Sequence, residues 1–130
     1  MNDFLNFEDL KNVVDLESQA ELSLVDAGWS ITEEENSENH NWLAKQQFEA
    51  FFIPTNEYKN NEIIYAFESF ERTYKKSGIK KRLTDRLELN WKSFDNFQSS
   101  TDILFLYLIP KSLDWVFFAN RDFCYFAKRN

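Results

Sequence analysis

From residue 41 onward large apolar side chains recur at helical spacing, and after residue 101 they run together or alternate as they do in strands. Residues 7–20 predict a first helix: Asn6 can cap its orphan N–H groups, Glu8 and Asp9 suit the positive end of its dipole, and Phe7, Leu10, Val13 or Val14 and Glu17 give a partly apolar stripe. Residues 21–31 alternate at Leu22/Leu24 and Trp29/Ile31, which predicts short strands around a turn at Gly28. Residues 32–41, TEEENSENHN, hold no large apolar side chain and read as a mobile acidic loop. Trp42, Leu43, Gln46, Gln47, Phe48, Phe51 and Phe52 suit a helix ending before Pro54, because the residue preceding proline avoids helical backbone.

Ile63, Phe67, Phe70 and Tyr74 are spaced by four, three and four residues, which predicts a helix with Lys75 and Lys76 at its negative end and Gly78 as its stop. Leu83, Leu87, Trp91, Phe94 and Phe97 have helical spacing too, whereas Leu87, Leu89 and Trp91 alternate; helix is favoured and strand stays open. Three strands follow, at 102–110, 114–119 and 123–127, the last two joined by Asn120, Arg121 and Asp122 with hairpin-turn chemistry. The expected fold class is α+β, with N-terminal and central helices packed on a C-terminal antiparallel β-meander in a single domain, residues 1–130.

Composition adds a location for the core. Of 23 aromatic residues, only Phe4, Phe7 and Trp29 precede residue 41, so the core is expected in the later segment. At 130 residues the chain is long enough to bury an ordinary core without disulfide or metal staples. Cys124 is the only cysteine and favours a reducing compartment. Met1 is followed by NDFLNFED, which lacks the basic start and apolar block of a signal peptide, and the longest apolar run, seven residues from Ile103 to Ile109, is too short to span a membrane. A cytoplasmic location without a membrane partner is expected.

Charge is divided along the chain. The net charge is −7, yet residues 1–57 hold 13 acids and two bases, whereas residues 58–130 sum to +4. The first half would repel nucleic acid and attract a basic protein surface. Seven bases lie between residues 72 and 86: Arg72, Lys75, Lys76, Lys80, Lys81, Arg82 and Arg86. They could grip phosphates, dock on the acidic half or on a second copy, or form a solvated helix end; the overall charge of −7 disfavours nucleic acid as partner.

No catalytic or cofactor signature is present. The one histidine, His40, lies in the acidic, apolar-poor stretch, where a catalytic triad would lack its shielded, oriented base. Cys124 sits among apolar neighbours and reads as a packed thiol, not a nucleophile. One Cys and one His cannot build a zinc site, and Glu33, Glu34, Glu35 and Glu38 lack the loop pattern that folds carboxylates round calcium. Neither Gly28 nor Gly78 has the partner glycines of a phosphate-cradling loop. The expectation is no enzyme, no metal and no cofactor, although a coupled pair among the 22 acids would escape detection by sequence.

Residues 106–126, LYLIPKSLDWVFFANRDFCYF, form a Trp-led strand, an Asn/Asp turn and an aromatic strand. This stretch resembles the terminal hairpins of small bacterial immunity proteins, the cytosolic antidotes of contact-delivered or secreted toxins. The resemblance implies a non-catalytic binding protein that occludes the basic active-site cleft of a cognate toxin, such as a nuclease. On that reading Glu33, Glu34, Glu35 and Glu38, flanked by Trp29 and Trp42, are the partner-binding surface, with opposite charge speeding encounter and aromatic anchors supplying affinity. The family shares no functional motif from which a binding residue could be carried over. The competing readings are an acidic inhibitor that mimics nucleic acid, an enzyme with a carboxylate-lined pocket, and a homodimerising structural protein.

Overall fold

Strands β6 (Leu106–Pro110), β7 (Trp115–Ala119) and β8 (Phe123–Arg129) form the expected antiparallel meander in the computed structural model. The structure describes residues 13–14, 24, 28–36, 42–52, 62–69, 72–73, 75–101, 103, 105–120 and 122–129. Every residue of β6 and β7 is buried, because both faces of the sheet are covered. That is why these strands read as unbroken apolar runs and not as alternation.

The meander is the middle of a larger sheet. Strand β1 (Trp29–Glu35) pairs with β8, and β2 (Ile63–Glu68) pairs with β6 on one side and β5 (Thr84–Glu88) on the other. The order is β1-β8-β7-β6-β2-β5, antiparallel throughout. A separate two-stranded ribbon, β3 (Arg72–Thr73) with β4 (Lys80–Lys81), lies between β2 and β5 in sequence. The α+β class therefore stands.

Helices α1 (Lys45–Phe52) and α2 (Trp91–Ser100) contribute to the apolar cluster on one sheet face. Phe52 is its hub: its ring lies 4.8 Å from Phe48, 5.4 Å from Trp115, 5.5 Å from Phe126 and 5.7 Å from Phe117, and offset and edge contacts of this kind add to the stabilisation from burial. The opposite face buries Phe67, Tyr107, Ile109, Val116, Phe118 and Ala127 under Val13 and Val14.

Four expectations are corrected. The helix predicted from Ile63 to Tyr74 is strand β2 over Ile63–Glu68. A helical stripe would have buried Ile63 and Phe67 together, but Ile63 is 43% exposed and Phe67 2%. The segment is a two-faced strand in which Ile64 and Ala66 enter one apolar cluster and Tyr65 and Phe67 the other. Gly78, expected as a helix stop, lies between β3 and β4 with φ +71°, a left-handed conformation that glycine adopts without penalty.

Residues 83–97 divide between the two readings, with strand to Glu88 and helix from Trp91. Asn90 makes the break, since its side chain accepts the Ser93 N–H at 2.8 Å and caps α2. Residues 32–35, expected in a loop, belong to β1. Pairing with β8 supplies the order there, so an edge strand of polar side chains needs no apolar stripe. The expected N-terminal helix falls mostly outside the described residues; within it, Val14 makes an antiparallel bridge to Leu24. Helix α1 lies inside the range predicted for it, and Trp29 opens β1 directly after Gly28 at φ +99°.

Candidate functional site

The pleat of β1 sorts the three consecutive glutamates onto two faces. Glu34 stands opposite Cys124, on the face that carries the helices, whereas Glu33 stands opposite Tyr125 and Glu35 opposite Phe123 on the other face. All three are exposed. Glu33 and Glu35 continue a row begun by Trp29, which is half-buried, and Ile31, which is 54% exposed. The Arg129 guanidinium lies over the Trp29 ring, 4.4 Å from its centroid, and holds the indole by cation–π attraction at the start of this row.

On the helix face Glu34 borders a cavity of about 300 Å³ between β1 and α1, lined also by Thr32, Gln46, Gln47, Ala50 and Phe51. One carboxylate, two primary amides and a hydroxyl stand over an apolar floor. That donor set accepts hydrogen bonds from a cationic side chain while Ala50 and Phe51 cover its methylene stem. The volume is at the small end of ligand pockets and suits one long side chain better than a cofactor.

Three polar side chains tie the neighbouring elements together, and of these Gln47 lines the cavity. Gln47 donates from Nε2 to the Glu35 carbonyl at 2.8 Å and accepts the Ala44 N–H at 2.9 Å, which ties α1 to the edge strand. Asn36, at the end of β1, donates its backbone N–H to the Asp122 carbonyl at 3.0 Å and its Nδ2 to the Asn120 carbonyl at 2.8 Å. Its Oδ1 accepts the Cys124 S–H at 3.0 Å. Gln98, buried in α2, accepts the N–H groups of Trp42 and Leu43 through Oε1, each at 3.2 Å, and donates to the Leu43 carbonyl at 2.9 Å. Nothing in the spacing of apolar residues marks Gln98 or Asn36, and Gln47 reads only as a member of the helical pattern before Pro54; each bonds backbone far from it in sequence or on another element.

Burial pushes the Cys124 thiol well above its ordinary range, and the negative charge of Glu34 adds to the effect. Cys124 is thus held as a neutral thiol at the floor of β8, in agreement with its reading as a packed core group.

The sequence-predicted surface is partly assembled. Glu33, Glu34, Glu35 and Trp29 share β1. Trp42 is not on that surface: it is 5% exposed and stacks on Phe97 at 6.3 Å, as part of the core beneath. Glu38 and His40 lie outside the described residues. Among the described residues no three Asp, Glu, His or Cys side chains converge as a metal site, and no helix is long and apolar enough to cross a membrane.

No family model, curated protein or solved structure matches the chain. Of the described acids of the first half, Glu33, Glu34 and Glu35 lie at one sheet edge, on a strand whose backbone is fixed by β8, and Glu49 lies on α1. Such an edge presents charge in a fixed register, so a partner meets it without the cost of ordering a loop.

Proposed function

We propose that this chain is a non-catalytic binding protein that docks its acidic edge strand onto a basic protein surface, and that it acts as the cytoplasmic antidote of a toxin–immunity pair. The observation that carries the reading is the ordered exposure of Glu33, Glu34 and Glu35 along β1 beside the cavity lined by Glu34, Gln46 and Gln47. A lysine or arginine of the partner would enter that cavity, Glu33 and Glu35 would meet further cations on the opposite face, and Trp29 and Ile31 would supply the apolar contact. A toxin with a basic substrate cleft, such as a nuclease, has the complementary surface, and its occlusion requires no chemistry from this chain. An edge strand also offers main-chain pairing to an extended segment of the partner.

The test is affinity capture from the host, followed by titration of the captured partner against the wild type and against a variant carrying Glu33→Lys, Glu34→Lys and Glu35→Lys. The expected partner is basic, its affinity falls as salt rises, and the variant binds it about 10²-fold or more weakly while folding normally. A basic partner that binds the variant with unchanged affinity and salt dependence overturns the assignment of the surface.

A further inference from the structure

The sheet has two edges, β5 and β1, and their main-chain groups differ. On β5 the ladder to β2 uses the odd-numbered residues: the Glu68 N–H bonds the Leu83 carbonyl at 2.9 Å and the Leu89 N–H bonds the Glu62 carbonyl at 2.7 Å. The peptide groups of Arg86 and Glu88 therefore point away from the sheet. There the chain meets them itself. The Arg86 N–H donates to Asp85 Oδ1 at 2.8 Å, the Glu88 N–H donates to Ser93 Oγ at 3.1 Å, and the Glu88 carbonyl accepts the Asn90 N–H at 2.9 Å. Side chains and the turn into α2 thus occupy this edge, which blunts it against pairing with another chain.

The β1 edge is left open. The Asn36 N–H bonds the Asp122 carbonyl at 3.0 Å, one step past the Glu35↔Phe123 pair, which fixes the even-numbered residues of β1 toward β8 and turns the peptide groups of Ile31, Glu33 and Glu35 outward. One of these groups is held, since the Glu35 carbonyl accepts Gln47 Nε2 at 2.8 Å. The N–H and C=O groups of Ile31 and Glu33, and the N–H of Glu35, have no partner among the described residues. All three residues are exposed, Ile31 by 54%. An open row of donors and acceptors at strand spacing is a template for a further strand.

The side chains decide which strand fits. A second copy of β1 brings three more glutamates to the same short ribbon, and like charges across a strand pair oppose its formation. A segment bearing cations meets the charge instead. On the helix face, the residue opposite Glu34 stands beside the cavity lined by Glu34, Gln46 and Gln47. On the other face, residues opposite Glu33 and Glu35 stand next to their carboxylates, and an apolar residue opposite Ile31 covers its exposed side chain.

Resting on the reading of β1 as the edge that docks a basic protein, we propose that the partner joins it as an added strand. The segment is extended and antiparallel to β1, with cations opposite Glu35, Glu34 and Glu33 and an apolar residue opposite Ile31. In its own direction it reads cation, cation, cation, any residue, apolar residue. The antiparallel sense continues that of every pair in the sheet and is the more stable per residue. The residues opposite Ile31 and Glu33 exchange main-chain bonds with β1, so the backbone supplies affinity and the alternating side chains select the segment.

The probe is a labelled octapeptide, acetyl-TKRKTVTV-amide, titrated into the full chain at about 50 mM salt, where charge attraction is less screened than at physiological salt. The peptide is expected to bind and to slow amide exchange at Ile31, Glu33 and Glu35, the alternate positions whose N–H groups are open. N-methylation of its fourth and sixth residues, those opposite Glu33 and Ile31, keeps every charge and removes two donors; binding is expected to weaken at least about tenfold. N-methylation of the third and fifth, whose N–H groups point away from β1, is expected to weaken it less than about threefold, because no bond is lost. Absence of binding overturns the proposal. Binding that needs Glu33, Glu34 and Glu35 but ignores methylation at the fourth and sixth residues, without alternate protection, overturns strand pairing and leaves the acidic-edge reading standing. The same alternate protection appearing without peptide as protein concentration rises, with a dimer by light scattering, assigns the edge to a second copy and overturns the proposal too. Peptide pairing as expected, together with a captured partner that binds the Glu33→Lys, Glu34→Lys and Glu35→Lys variant unchanged, removes the antidote reading and leaves the strand pairing.

Discussion

Gln98 grips the peptide backbone of Leu43 from both sides, accepting its N–H at 3.2 Å and donating to its carbonyl at 2.9 Å across 55 positions of sequence. The same Oε1 accepts the Trp42 N–H, and Nε2 also reaches Asp95. A glutamine buried in this way replaces the water that irregular backbone before α1 would otherwise need.

Replacing Gln98 with leucine leaves the N–H groups of Trp42 and Leu43 and the Leu43 carbonyl in an apolar site. The expected loss is about 3 kcal/mol by urea or guanidinium denaturation, since each buried group left without its bond costs about 1–3 kcal/mol. A loss below about 1 kcal/mol would show that the segment finds other partners.

Ile63→Thr and Phe67→Ala separate the strand from the helix that spacing suggests. With Ile63 43% exposed, its substitution is expected to change stability by no more than about 0.5 kcal/mol. Phe67, 2% exposed and stacked on Tyr107 at 5.0 Å, is expected to cost about 3–5 kcal/mol. Equal costs at the two positions would contradict the strand.

Asn36→Ala removes the bond to the Asn120 carbonyl and the acceptor of the Cys124 S–H. The expected cost is about 1–2 kcal/mol, with faster amide exchange concentrated at residues 33–36, because this asparagine pins the end of β1 to the β7–β8 turn. Exchange unchanged in that stretch would mean that β1 is held by strand pairing alone.

The Cys124 thiol makes stability fall at alkaline pH. Its folded pKa is raised, so below the ordinary value of 9.0 both states are protonated and the contribution is fully present. Above that value the unfolded chain releases a proton that the folded chain retains, and stability drops by about 1.4 kcal/mol per pH unit for this group. Subtracting the pH profile of Cys124→Ala from that of the wild type isolates the effect; a difference flat from pH 8 to 10.5 would exclude it. In the folded protein the thiol is also expected to resist alkylation at pH 8 and to react once denaturant is added.

The meander was legible because β6, β7 and β8 are rich in β-branched and aromatic residues and are bounded by Pro110, Asn120 and Asp122, so length and turn chemistry agreed. Strand β2 misleads because a strand buried on both faces has apolar residues at almost every position, and any such run contains helical spacings by chance. Strand β1 was hidden for the opposite reason: its residues 32–35 owe their conformation to hydrogen bonds with β8, a relationship local composition does not encode. The acidic character of the candidate site was therefore readable, but its division into two faces was not. Trp42 differs again, since an indole beside a polar stretch looks like a surface anchor until Phe97 is found stacked upon it.

The order of strands has a consequence for how the molecule comes into being. Strand β8 lies between β7 and β1, whose partner residues are separated by up to 100 positions, as in Trp29↔Arg129. During synthesis the acidic strand leaves the ribosome long before its template exists, and both helices emerge ahead of β6, β7 and β8, which they cover. Assembly must wait for the last strand, so this chain closes its sheet late and by long-range pairing, a route that is slow and exposes apolar surface to chaperones in the interval.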